Sequence, residues 1–244
     1  MSSPTTQAAP AEVFDLPTER DLPFEDGRMR NGFETPQTAL LTQTARPVLR
    51  SIHGDAPFFV GDDMAIYYRV VRPFAQSKCV APDWFYVPRA TQTNAEGGVR
   101  RSYLLWENQH LPLIVIEYAS NGGAEERDST PDTGKFWVYE NQVHPAFYAI
   151  FVPSLGELEV YELVHHAFVT MRPNEAGRFP IAPMRMELGI WHGTVEQTEA
   201  DWIRWWSEDG RLLPSDLERA EAVTTDNERL RAMLRSLGHD PDAV

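Results

Sequence analysis

Leu111-Pro-Leu-Ile-Val-Ile-Glu-Tyr-Ala-Ser120 decides how the rest of the chain is read. From Leu113 to Ala119 the stretch is apolar on both faces except at Glu117, and a strand of that kind belongs in the middle of a covered sheet. A lone carboxylate is too costly to bury charged, so Glu117 must be paired, protonated or bound to a metal. The bland alternative is a glutamate at the exposed C-terminal end of its strand.

Upstream, Cys79-Val-Ala-Pro-Asp-Trp-Phe-Tyr-Val87 reads as one strand rich in aromatic and β-branched residues. Alternation then puts Asp83 on the same face as Cys79, Ala81, Phe85 and Val87. If the two strands are neighbours, Asp83 and Glu117 can converge on one Mg²⁺ or Mn²⁺, with the Tyr118 carbonyl as third ligand and water completing the shell. Such an ion lowers the pKa of a bound water and polarises a phosphate.

Downstream, Thr130-Pro131-Asp132 looks like a helix start running to about Val143 and ending before Pro145. Lys135 and Tyr139 are one turn apart and share a face. Lys135 would orient the attacking water or stabilise the pentavalent transition state, Tyr139 would bond phosphate or lysine, and Asp132 would hold the ammonium. Taken singly, Lys135 and Tyr139 are better explained by a salt bridge at a sheet–helix contact. As an ordered strand, strand and helix set, the residues point to metal-dependent phosphodiester hydrolysis, with Asp83, Glu117, Lys135 and Tyr139 as the catalytic group.

The rest of the chain is organised around that set. Residues 1–22 are rich in Ser, Thr, Pro and Ala and are expected to form a flexible tail. Thr35-Pro36 resembles a helix start, and Pro47 should kink or divide the helix that follows. Strands are expected at Met64–Val71, Arg101–Trp106, Phe147–Val152, Leu158–Leu163, Ala167–Met171 and Arg185–Trp191. Trp202-Ile-Arg-Trp-Trp206 with the Asp209-Gly210 turn favours a hairpin with packing tryptophans. Ser215–Leu237 returns to helix, its apolar stripe most simply packed on its own domain. The expected division is therefore 1–22 tail, 23–200 main domain, and 201–244 hairpin and helix.

Bulk composition sets limits. A chain of 244 residues, 42% hydrophobic and 24% charged, is globular. It contains no apolar run of the roughly 20 residues that span a bilayer. Cys79, the single cysteine, allows no internal disulfide, and with no basic and apolar leader at Met1 a cytoplasmic location is expected. The net charge of −14 argues against a nucleic-acid partner. Its distribution softens that objection: Met64–Leu105 holds six bases against two acids, whereas Glu187–Val244 holds thirteen acids against six bases. His165-His166 lacks a partner at metal-ligand spacing and reads as a strand pair of surface or core histidines. There is no P-loop, no GxGxxG and no CxxC pair.

The same residues carry a resemblance. Val80-Ala-Pro-Asp83 with Trp-Phe-Tyr-Val after it, Arg100-Arg-Ser-Tyr-Leu-Leu-Trp-Glu107, Ile116-Glu-Tyr-Ala-Ser120, Gly134-Lys-Phe-Trp-Val-Tyr-Glu140 and Trp205-Trp-Ser-Glu-Asp-Gly-Arg-Leu-Leu-Pro214 resemble the Uma-two-type family of restriction endonucleases, within the PD-(D/E)XK nuclease-like superfamily. The resemblance spans roughly Pro23 to Leu213. It implies a restriction-endonuclease-like α/β fold with a mixed β-sheet flanked by helices, Mg²⁺-dependent cleavage of DNA, and homodimers. It maps the catalytic acids onto Asp83 and Glu117. The superfamily lysine two residues after the glutamate is missing, because Ala119 stands there, and Lys135 on the helix takes its place. Ser120-Asn-Gly-Gly123 departs from the family's usual Ser-Pro-Ser-Thr, and Ala146 and Phe151 replace acidic positions. Those departures and the acidic charge favour the alternative of a catalytically inactive nuclease-fold binding or assembly module. A third class, an acidic scaffold recruiting a partner through its C-terminal helix, remains open.

Overall fold

The computed structural model of the chain describes residues 32–94, 97–108, 110–237 and 239, so the expected tail at 1–22 lies outside the described residues. The centre is a six-stranded mixed sheet in the order β1 (Phe58–Gly61), β4 (Trp84–Pro88), β6 (Ile114–Tyr118), β7 (Phe147–Val152), β8 (Glu157–Val164), β9 (Ala167–Thr170). Strand β6 pairs antiparallel with β4 and parallel with β7, and the other pairs are antiparallel. Every residue of β6 and β7 is buried, as their two-faced apolar sequences require. Two smaller sheets complete the β structure: β3 (Lys78–Val80), β2 (Ile66–Arg69) and β5 (Tyr103–Leu104), and an antiparallel set of β10 (Phe179–Ile181), β11 (Met186–Val195) and β12 (Thr198–Ser207). No helix among the described residues is long and apolar enough to cross a membrane.

The core has two layers. On one face, Trp84, Ile116 and Phe151 pack against Leu41, Ala45 and Leu49 of α1 (Glu34–His53) and against Leu188, Ile203 and Trp205 of the β10–β12 sheet. On the other, Phe85, Val115 and Ile150 pack against Val138, Tyr139 and Val143 of α3 (Lys135–Val138) and the π-helical turn Tyr139–Val143 that continues it. The chain is thus an α/β structure with a mixed sheet flanked by helices.

Several expectations need correction. The stretch Cys79 to Val87 is two strands in different sheets, because Ala81-Pro82-Asp83 turns the chain between β3 and β4, and Cys79 is exposed. Pro47 does not divide α1. A proline removes the bond to the carbonyl four residues back, and that carbonyl, on Gln43, accepts instead from Arg219 Nη2 at 3.3 Å. The helix expected from Thr130 starts only at Lys135, with turns before it, and Asp132 has φ of 66°. The strand expected at Arg101–Trp106 is only β5, followed by the short helix α2 (Leu105–Asn108). His165 and His166, read as strand residues, form the two-residue turn between β8 and β9, with φ of 49° and 66°. Strand β12 runs through position 200, so the β10–β12 sheet is continuous across the boundary expected there.

Trp202 and Trp205 are fully buried packing residues, and the chain does fold back after Ser207, whose N–H donates to the Arg211 carbonyl at 2.9 Å. The C-terminal helix α4 (Asp216–Ser236) starts on a capping box between Ser215 and Glu218. Contrary to expectation, it buries none of its residues.

The edge of the β10–β12 sheet is closed by a side chain. Gln37 on α1, fully buried, donates from Nε2 to the Ile203 carbonyl (2.8 Å) and accepts from the Ile203 N–H (2.9 Å). The amide does for β12 what another strand would do. Gln37→Leu is expected to leave both backbone groups buried and unsatisfied, a loss of roughly 1–3 kcal/mol for each. Urea denaturation should show a lower midpoint with an unchanged slope. An unchanged midpoint would show that the bridge is not needed.

Candidate active site

Register brings the segments that carry the two acids side by side. The β4–β6 ladder runs to Trp84↔Ile116, and Asp83, in the bend just before β4, bonds the backbone of Tyr118, the residue after Glu117. Glu117 lies on the face that carries Val115, where Lys135 and Tyr139 reach it. The strand expected to carry Asp83 is broken, and Asp83 sits in the bend just before β4. Asp83 Oδ2 accepts the Tyr118 backbone N–H at 2.5 Å, which orients the carboxyl at the start of β4. The Tyr118 side chain points to the opposite face, where its hydroxyl meets Thr38 Oγ1 at 3.2 Å, so only its backbone can serve the site.

Glu117 is 2% exposed and doubly held from the helix side. Tyr139 Oη donates to Oε1 at 2.6 Å, and Lys135 Nζ donates to Oε2 at 3.4 Å. The helix can come this close because Gly134 caps it: a Cβ there would collide with the Asp128 carbonyl. The following turn widens to π geometry, a form common at functional sites.

Two further acids close round the ammonium, neither expected from sequence. Glu126, 4% exposed, places Oε1 3.2 Å from Lys135 Nζ, and the exposed Glu125 reaches to 3.6 Å. Their loop is pinned by Arg127, which grips Glu159 of β8 through Nε and Nη2 at 2.9–3.2 Å, and by Tyr148, whose hydroxyl donates to the Glu126 carbonyl at 2.9 Å. Glu126 Oε2 is buried without a hydrogen-bond partner. In the sequence Glu126 sits in a polar loop, and only tertiary packing turns it inward. Asp132 does not hold Lys135; it lies 3.5 Å from Arg69.

The electrostatics follow from this crowding. Burial pushes the Asp83 carboxyl up to about 9, and the neighbouring Glu117 charge adds to the rise. Burial also raises Glu117, against the pull of Lys135 and the Tyr139 hydrogen bond. Burial alone would lower Lys135, but the charges of Glu117, Glu126 and Glu125 outweigh it and hold the ammonium above its usual value. At neutral pH Asp83 therefore keeps its proton, and Lys135 is cationic. A lysine so held cannot act as a base, but it can stabilise negative charge.

The oxygen donors suit a hard cation. Each carboxylate oxygen has about two lone-pair directions, so the single donors on Glu117 Oε1, Glu117 Oε2 and Asp83 Oδ2 leave capacity. Among the described residues no group of three or more His, Cys, Asp or Glu is placed to hold a metal ion. Two carboxylates, a carbonyl and water fit Mg²⁺, which retains several waters.

The raised Asp83 gives a pH signature opposite to that of an ordinary salt-bridged acid. Between about pH 4 and about pH 9 the unfolded chain has lost this proton while the folded protein keeps it, so the folded state binds more protons. Stability of the metal-free protein should fall as pH rises through that window. Asp83→Asn should flatten the dependence in chemical denaturation at a series of pH values. Equal slopes in both proteins would refute the protonated Asp83.

No family model and no curated relative matches the chain. Among solved structures, the chain is similar to that of a "putative nuclease belonging to DUF820" from Anabaena variabilis, with a TM-score of 0.40 and 12% identity over 64% of this chain and 75% of that one. Similarity at that level carries no argument about function.

Proposed function

We propose that the protein is a hydrolase, a Mg²⁺-dependent endonuclease of restriction type acting on phosphodiester bonds in DNA. The observation that carries this reading is the buried Glu117 with the Lys135 ammonium anchored to it, and Asp83 bonded to the backbone of the very next residue, Tyr118. Asp83, Glu117 and the Tyr118 carbonyl would hold the ion, with Mn²⁺ as a substitute. When bound, a divalent cation supplies Lewis acidity and a water of lowered pKa.

The chain's own residues contribute the rest. Asp83, protonated without the cation, would release its proton to solvent in order to serve as a ligand. Tyr139 keeps the Glu117 carboxylate turned to its task. Lys135 remains charged and stabilises the negative charge that builds up on the phosphoryl oxygens. Glu125 and Glu126 hold that ammonium in place. The surplus of acids would repel a bare phosphodiester, which is itself an argument for a cation between enzyme and substrate.

Asp83→Asn and Glu117→Gln keep shape while removing charge. Both are expected to lose saturable Mn²⁺ binding in calorimetry and cleavage of duplex DNA, with an unchanged circular dichroism spectrum. Lys135→Met should still bind Mn²⁺ but cleave roughly 10²–10³-fold more slowly. Metal-dependent cleavage that survives in both acid variants would sink the proposal. Absence of Mn²⁺ binding by the unaltered protein would favour the inactive binding module, the reading that the net charge of −14 supports.

A further inference from the structure

Helix α4 is tied to β12 and α1 at its root. Arg204, 1% exposed on β12, bonds both Glu218 oxygens at 2.8 and 2.6 Å and the Leu213 carbonyl at 2.8 Å. Arg219 reaches back to the Pro214 and Gln43 carbonyls. Beyond that first turn the helix buries none of its residues, and Val223, Leu230, Leu234 and Leu237 are 60%, 54%, 41% and 65% exposed. An isolated helix of this length with bare leucines is marginal in water, so the stripe calls for a cover.

Spacing identifies the cover. Ala220, Val223, Asn227, Leu230, Leu234 and Leu237 follow one another at alternating intervals of three and four, the a and d positions of a heptad repeat that starts with a at Ala220. The d positions are Val, Leu and Leu. Among the a positions stands one polar residue, Asn227, whose amide pairs with its own symmetry mate across a parallel two-stranded seam and fixes register. The flanking charges agree. Asp226 at g faces position e, five residues on in a parallel partner, and there Arg231 of the partner subunit brings the opposite charge. An antiparallel pair centred on Asn227 would instead set Asp226 against its own copy. Between Asp216 and Leu237 there are five acids and four bases, so this segment escapes the self-repulsion of a chain carrying −14.

We infer that α4 is a dimerisation helix, which pairs with α4 of a second copy of this chain as a parallel two-stranded coiled coil along Ala220–Leu237. The inference is independent of the nuclease reading, since it uses no residue of the Asp83–Glu117 site.

The test uses the full chain with Cys79→Ser, which removes its one thiol. In sedimentation velocity the protein should be a dimer that dissociates on dilution. The double variant Leu230→Asp, Leu234→Asp should weaken the dimer by at least about tenfold while leaving the thermal unfolding of the domain unchanged. In the same background Asn227→Cys should crosslink on mild oxidation, because a positions face one another in a parallel pair, and Glu221→Cys, off the seam, should not. A protein monomeric at every concentration would overturn the inference and point to a different partner. So would a dimer indifferent to the aspartates, or one in which the cysteines at position 227 fail to link.

Discussion

The structure turns on one carboxylate in the middle of a sheet. Glu117 occupies a strand whose every residue is buried, a place where an unaccompanied charge could not persist. Two donors from the same short helix, Tyr139 and Lys135, meet its two oxygens. Satisfying Glu117 obliges the segment between β6 and β7 to pass over this face of the sheet and to bring the start of α3 down onto it. The tight passage at Gly134, the widened turn at Tyr139–Val143 and the Arg127–Glu159 clamp are all ways of holding that approach.

The arrangement leaves Glu126 Oε2 without a hydrogen-bond partner and is short of positive charge. Lys135 answers Glu117, Glu125 and Glu126 together, and Asp83 keeps a proton well into the alkaline range. A core site built only for stability gains nothing from a second acid near the first, since replacing a buried ion pair by apolar groups is often neutral or better. A site that receives a divalent ion does gain from it. Under the proposed function, the ion rather than the protein surface would supply the attraction for a phosphodiester.

Much of this was legible before any coordinates. Two-faced apolar runs named β6 and β7, and the lone polar residue in the first of them named Glu117. Helical spacing put Lys135 and Tyr139 on one face even though their helix begins four residues later than the proline signal suggested. What escaped has physical causes. Alternation within Cys79–Val87 reports side-chain direction but not sheet membership, so the break at Pro82 was invisible. The hairpins at His165-His166 and Glu196-Gln197 adopt left-handed backbone without the glycine or asparagine that usually announces it. Glu126 is inward only because distant residues, Glu159 and Tyr148, pin its loop. Pro47 failed to break α1 because Arg219, 172 positions later, takes up the carbonyl that it frees.

The central claim is that Asp83 and Glu117 act as one divalent-cation site beneath the Lys135 ammonium. A crystal soaked in Mn²⁺ and measured at a wavelength where manganese scatters anomalously tests it most directly. The account predicts one strong anomalous peak in contact with an oxygen of each carboxylate. A map with no peak between them at saturating Mn²⁺ would contradict it.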